Sequence, residues 1–221
     1  MIIIHLGLHK TGTTFLQRNV FPFSKEINYI YGDKLRNLNI VEDKVNVLSG
    51  EWLSGTPHEP EPVSRRYELA YSLSILFPNA KILLVLRNKD DWVNSIYKQY
   101  VLSGGKEKKK KFVEYIFDDG YLKFVEYIFY LKDLFNDVKI MYYEDLKNNP
   151  NKFLSDLFSF LRVKNFRVKN IGVNVSYSDR QIEIIRLLNI FIPNKIVRRY
   201  FWIKVRQTIS LESKLNIKGS E

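Results

Sequence analysis

The apolar positions fall into short runs of strand length separated by turn-forming residues and by stretches of helical spacing. Ile2-Ile3-Ile4-His5-Leu6 is a β-branched stretch suited to a buried strand, and Phe15-Leu16-Gln17-Arg18 can begin a helix. Ile27-Asn28-Tyr29-Ile30-Tyr31, ending at Gly32-Asp33, reads as a short strand, and Lys44 to Ser49 as another. Thr56-Pro57-His58-Glu59-Pro60-Glu61-Pro62 is a proline-punctuated loop. The helix expected from about Val63 carries Leu69, Leu73 and Leu76 at helical spacing and stops before Pro78-Asn79. Lys81 to Arg87 is a nearly continuous apolar run, as in a central parallel strand buried on both faces. Asn88-Lys89-Asp90-Asp91 offers caps for a helix carrying Trp92, Ser95, Ile96 and Gln99, which ends near Ser103-Gly104-Gly105. Lys111 to Phe117 recurs in similar form as Lys123 to Phe129; two copies so close cannot make a solenoid and read as two helical faces. Val138 to Tyr143 is a further strand, followed by Glu144-Asp145-Leu146 and a helix through Phe153, Leu157, Phe158 and Leu161. The remainder is helical and basic.

Strands alternating with helices imply an α/β protein of three layers around a central, mainly parallel sheet. A chain of 221 residues fits a single domain, with an α/β core over residues 1–176 and a basic helical C-terminal extension over 177–221. There is no cysteine, so disulfides and thiolate metal sites are excluded, and a reducing cytoplasm fits best. Met1 to Ile4 is not expected to be a targeting segment, because no basic region precedes it and His5, His9 and Lys10 interrupt it early. No apolar run is long enough to span a bilayer, so a soluble protein without an export signal is expected. The formal net charge of +11 favours polyanions, whether nucleotide, nucleic acid, anionic glycan or lipid surface, and does not choose among them. The charge run Lys106 to Lys111 reads as a solvated loop or helix start.

Candidate chemistry concentrates in Gly7-Leu8-His9-Lys10-Thr11-Gly12-Thr13-Thr14, between the first strand and the first helix. Lys10 comes two residues before Gly12, whereas a nucleotide-triphosphatase loop places its lysine directly after the last glycine and adds Ser or Thr for magnesium. Strand, glycine turn and helix start form an anion site, since amides there have no intrahelical acceptor and the helix dipole favours negative charge. Lys10 adds a mobile charge, and the hydroxyls of Thr11, Thr13 and Thr14 can donate to oxygens with no metal required.

Four segments together resemble the sulfotransferases that use 3′-phosphoadenosine 5′-phosphosulfate (PAPS). His9-Lys10-Thr11-Gly12-Thr13-Thr14 resembles their 5′-phosphosulfate loop; Leu86-Arg87 followed by Ser95 resembles their 3′-phosphate segment; Tyr142-Tyr143-Glu144-Asp145-Leu146 resembles the stretch that ends their later strand; and Asn174-Val175-Ser176 is similar to an element of bacterial members. The resemblance implies that Lys10 stabilises the leaving 5′-phosphate, that His9, Thr11, Gly12, Thr13 and Thr14 line the loop, and that Arg87 and Ser95 bind the 3′-phosphate. It also implies Tyr143 at the adenine, adenosine 3′,5′-bisphosphate as the product, and no metal. Glu51, at the carboxyl end of the Lys44 to Ser49 strand, is expected as the base that takes the acceptor's proton, with His58 the rival.

Catalysis would thus rest on Lys10, Glu51 and Ser95, moving a sulfuryl group to a hydroxyl or amine of a small-molecule or glycan acceptor, anionic ones included. His5 reads as a core histidine, Trp52 and Trp92 as packing residues more than an adenine shelf. The relatives' C-terminal Arg-Lys-Gly element has no arginine here, in Ile217-Lys218-Gly219. Lys195 to Arg206 is basic and aromatic, suited to an anionic acceptor or to peripheral membrane contact, although a solvated helix accounts for it as well. Two other functions share these features: a nucleotide kinase or triphosphatase, which would need magnesium, and a non-enzymatic polyanion-binding module; specific nucleic-acid recognition is not expected.

Overall fold

The computed structural model describes residues 1–31, 38–55, 62–118, 120, 122–168 and 177–192. Gly32-Asp33, the proline loop with His58, Asn174-Val175-Ser176, Lys195 to Arg206 and Ile217-Lys218-Gly219 lie outside them. The chain divides into two compact units, Met1–Ile96 with Val113–Asn174, and Tyr97–Phe112 with Val175–Glu221.

The first unit is built on five strands, β1 (Ile2–Gly7), β2 (Ile27–Tyr31), β3 (Val45–Gly50), β4 (Lys81–Leu86) and β5 (Val138–Tyr142). All pair in parallel, in the order β2-β3-β1-β4-β5, with Ile4 of β1 opposite Leu48 on one side and Ile82 on the other. Every strand therefore ends at the same edge. The chain leaves β1 toward β2 and β3 on one side and resumes at β4 on the other, so β1 and β4 flank the switch point where parallel α/β sheets bind ligands.

Burial on both faces explains why the central strands β1 and β4 are nearly continuous apolar runs, while the edge strands β2 and β5 are only partly buried. Successive side chains point to opposite faces: Ile3, Val47, Leu83, Val85 and Met141 share one core, while Ile4, Leu6, Ile82, Leu84 and Leu86 share the other. The first face is covered by a helical run opening as α1 (Thr13–Phe15), continuing through a wide turn Leu16–Val20 and a tight turn Phe21–Phe23, and by α7 (Pro150–Leu161). The second is covered by α2 (Pro62–Leu76) and α5 (Phe124–Leu134), completing the three layers that the alternation predicts.

One expected face is displaced. Leu76 of α2 is exposed, and the buried stripe is Arg66, Ala70 and Leu73. An arginine occupies a core position because its guanidinium lies 4.9 Å from the ring centroid of Tyr127 on α5, an aromatic partner that apolar spacing cannot reveal. The repeated heptapeptide falls on two separate helices, α4 (Lys109–Asp118) and α5. Helix α3 (Lys89–Leu102) follows β4, and the short α6 (Tyr143–Asn148) follows β5 directly.

In the second unit Phe112 packs against Tyr97 and Tyr100, at ring-centroid distances of 5.6 and 4.7 Å. Helix α8 (Asp179–Phe191) starts with a capping box in which Ser178 and Gln181 satisfy each other's amides. The Asn189 amide on α8 donates to the carbonyls of Val101 and Gly105. No helix among the described residues is long and apolar enough to cross a membrane.

Candidate active site

Strand β1 delivers the chain into the loop Leu8–Gly12, and the loop is closed by its own side chains. The hydroxyls of Thr11 and Thr13, both buried, donate to the Leu8 carbonyl at 2.7 and 3.1 Å. Sequence reading assigns those hydroxyls to ligand oxygens; here both donate to the loop's own Leu8 carbonyl. Gly7 makes this possible, since a Cβ there would sit 2.5 Å from Cγ2 of Thr13. Within this loop two residues lie in the left-handed region: Gly12, with φ 86°, and Lys10, with φ 64°. A non-glycine residue held there stores backbone strain of the kind that clusters at ligand clamps.

The second cradle grows from the end of β4. Arg87 donates from Nη1 to the backbone carbonyl of Lys10 at 3.1 Å, which brings the two cations that sequence reading paired onto one side of the sheet edge. The guanidinium lies 4.7 Å from the ring centroid of Tyr143, and its buried Nε has no hydrogen-bond partner. The segment after β5 braces both cradles: Glu144 accepts from the Asn88 amide at 3.0 Å, and Tyr143 and Leu146 pack on Gly12 so closely that a Cβ there would lie 3.2 and 3.0 Å from them. Ser95 is half-buried on α3, and among the described residues it hydrogen-bonds none of this group.

Burial pushes the Lys10 ammonium below its ordinary value; Glu51 opposes the shift and Arg87 reinforces it. The Lys10 side chain still reaches solvent, which limits the effect.

Strand β3 ends at Gly50 and turns at once into a single tight helical turn, Glu51–Ser54. Glu51 Oε2 meets His9 Nδ1 at 3.0 Å, and the Thr14 hydroxyl approaches Oε1 at 3.4 Å. Burial pushes the Glu51 carboxyl up, but the hydrogen bond and charge of His9, the Thr14 hydroxyl and the Lys10 charge together hold it below its ordinary value. The turn is tied to the end of β1 by the Ser54 hydroxyl, which donates to the Gly7 carbonyl at 3.0 Å, and is held from beneath by Arg66 Nε on the Ser54 carbonyl at 3.0 Å.

His5 is fully buried below this edge, with Nδ1 2.7 Å from the Ser49 hydroxyl, which also accepts from Gln17 at 3.0 Å. Burial lowers its pKa to about 4, despite the Glu51 charge, so it is the neutral core histidine that its strand position predicts. Trp92 is likewise a packing residue, fully buried, and its indole N–H donates to the His9 carbonyl at 2.7 Å. The packing role is the one sequence reading gives Trp92; sequence reading misses its hydrogen bond to the loop and the roles of Ser54 and Arg66, while Glu144 and Leu146 lie in the Tyr143 to Leu146 stretch that it marks.

A glycine-containing loop after the first strand of a parallel three-layer sheet, with a second cation at the neighbouring strand end, makes this an α/β protein whose strand ends are arranged as anion sites commonly are. Residues 2–179 match the family model described as the sulfotransferase domain, and the chain belongs to that family. It is a sulfotransferase, an enzyme of sulfuryl transfer. The fold is similar to the crystal structure of a sulfotransferase from Alicyclobacillus acidocaldarius, at 16% identity over 89% of this chain and 98% of that one, with a TM-score of 0.56. Mouse sulfotransferase SULT7A1 complexed with PAP matches at 15% identity, over 86% of this chain and 63% of that one, with a TM-score of 0.46. The sulfotransferase domain from the curacin biosynthetic pathway matches at 15% identity, over 75% of each chain, also at 0.46. No curated protein sequence matches the chain.

Proposed function

We propose that the protein transfers a sulfuryl group from 3′-phosphoadenosine 5′-phosphosulfate to a hydroxyl or amine of a small-molecule or glycan acceptor. The observation that carries this reading is the contact of Arg87 with the Lys10 carbonyl: a guanidinium fork and an ammonium-bearing loop stand side by side, as two phosphate groups of one nucleotide require. The residues also fit such a nucleotide in having a buried Arg87 Nε with no hydrogen-bond partner at the cradle.

When bound, that nucleotide supplies an activated sulfuryl group on a phosphate leaving group. Lys10 and the loop amides stabilise negative charge on the 5′ side, Arg87 binds the 3′-phosphate with Ser95 as its second donor, and Tyr143 faces the adenine. Glu51, with its carboxylate held ionised beside the loop, serves the removal of the acceptor's proton. The charge of +11 suits an anionic acceptor.

The test is transfer of labelled sulfate from PAPS, with a chelator present, to a panel of sugars, phenols, alcohols and amines, alongside thermal melts with adenosine 3′,5′-bisphosphate. The reading expects transfer to at least one acceptor class and stabilisation by the bisphosphate. Neither effect at saturating ligand, or stabilisation only by magnesium–ATP, would overturn it.

A further inference from the structure

The contact between His9 and Glu51 joins two parts of the site that are separate in sequence. His9 belongs to the loop that cradles the donor, and Glu51 to the turn that ends β3. We infer that His9 is a positioning residue for Glu51, so that donor cradle and proton acceptor are assembled as one piece. The inference rests on the role given to Glu51 above and names the residue that aims it.

The backbone at His9 and just after it is pinned at two consecutive carbonyls. Its own carbonyl accepts from the fully buried Trp92 indole at 2.7 Å, and the next carbonyl, that of Lys10, accepts from Arg87 at 3.1 Å. The imidazole is therefore held by its main chain as well as by its partner. Its Nε2 is buried and has no hydrogen-bond partner. A proton on that nitrogen would be an orphaned buried donor, which is costly, while a lone pair there costs less. The geometry thus places the donated ring proton on Nδ1, facing Glu51 Oε2 at 3.0 Å.

In that tautomer His9 gives a hydrogen bond and takes no proton from the acceptor. Glu51 keeps Oε1, beside the Thr14 hydroxyl, for that proton. Among the described residues the other charged group acting on the carboxylate is Lys10 on the loop, on which Arg87 of the β4 end acts in turn, while the Glu51 charge acts on His5 of β1.

The test uses substitutions that place an amide nitrogen near one or the other ring nitrogen. Asparagine puts its NH2 near the position of Nδ1, and glutamine near that of Nε2. In the full-length protein, His9→Ala and His9→Gln are expected to lower kcat about 10- to 100-fold, the scale of losing a group that orients a reacting side chain. His9→Asn is expected to stay within a few-fold of wild type. Donor KM should change little in all three. Because the imidazole helps to hold Glu51 below its ordinary value, the acid limb of kcat/KM should move to higher pH in His9→Ala. The double variant His9→Ala/Glu51→Gln should be no slower than Glu51→Gln alone.

A readout independent of activity comes from nitrogen-15 NMR of the imidazole, which should show the proton on Nδ1 in the wild type and a loss of that preference in Glu51→Gln. A proton on Nε2 in the wild type, or a His9→Asn variant as slow as His9→Ala with donor KM raised and the acid limb unmoved, would overturn the inference. Failure of the wild type to transfer sulfate would count against the proposed function, while the NMR result would still decide the His9–Glu51 contact.

Discussion

Replacing Gly12 with alanine strikes the point where the two cradles meet. An L-residue at φ 86° pays about 1–2 kcal/mol for the left-handed conformation. The added Cβ would also lie 3.0 Å from Cδ2 of Leu146 and 3.2 Å from Cδ2 of Tyr143, both on α6 and neither a flexible chain end. Overpacking of that kind costs about 1–3 kcal/mol, so Gly12→Ala should lose about 2–5 kcal/mol in all, within reach of the 5–15 kcal/mol of a typical domain. The variant should fold. Its Tyr143 ring must shift, and the Arg87 guanidinium that lies over that ring shifts with it. Urea unfolding with and without adenosine 3′,5′-bisphosphate reads both effects, since a ligand at a hundred times its Kd adds about 2.7 kcal/mol when the site is intact. The expected result is a lower midpoint without ligand and a smaller ligand increment. Stability within about 0.5 kcal/mol of wild type would refute the packing argument, and a full ligand increment on a destabilised protein would refute the link from Gly12 through Tyr143 to Arg87.

Two further substitutions and a pH series test the supporting structure. His5 keeps its neutral form down to about pH 4, whereas the unfolded chain takes up that proton from about pH 6.5. The native state should therefore lose about 1.4 kcal/mol per pH unit across that window, and His5→Gln should flatten the urea midpoint's dependence on pH between 6.5 and 4.5; an unchanged slope would contradict the burial argument. Trp92→Phe removes the indole donor from the His9 carbonyl while keeping an aromatic ring; a loss of about 1 kcal/mol in stability is expected, with weaker binding of the bisphosphate, and unchanged binding would show that this bond does not hold the loop. Arg66→Met keeps much of the stem but leaves the Ser54 carbonyl without its donor, so sulfate transfer should fall in a folded variant as the Glu51 turn loosens, and wild-type kcat would contradict that support.

Local pattern carried the sheet because each strand is short, apolar and ended by turn chemistry. Ile27 to Tyr31 became β2 as read, and Lys81 to Arg87 became β4 with Arg87 just past its end, where a cation meets the ligand edge. The order of Lys10 before Gly12 likewise marked the loop. What pattern could not show is direction. Thr11 and Thr13 turn inward onto Leu8, a choice of local direction; His9 turns to Glu51 and Trp92 spans from α3 to the loop, contacts that depend on partners brought near by the β1–β3 and β1–β4 pairings. Arg66 shows the same limit, since a cation on an apolar stripe reads as surface until the rings of Tyr127 and Phe124 are placed around it.

In the proposed function Lys10 and Arg87 grip opposite ends of one bisphosphorylated adenosine. Calorimetric titration of adenosine 3′,5′-bisphosphate and of adenosine 5′-monophosphate, without metal, into wild type and Arg87→Ala tests it most directly, because the two ligands differ only in the 3′-phosphate. The wild type should prefer the bisphosphate by about 10-fold or more, the scale of a charge-assisted bidentate contact, and Arg87→Ala should bind both alike. A preference that survives intact in Arg87→Ala, or a wild type that does not distinguish the two ligands, would contradict it.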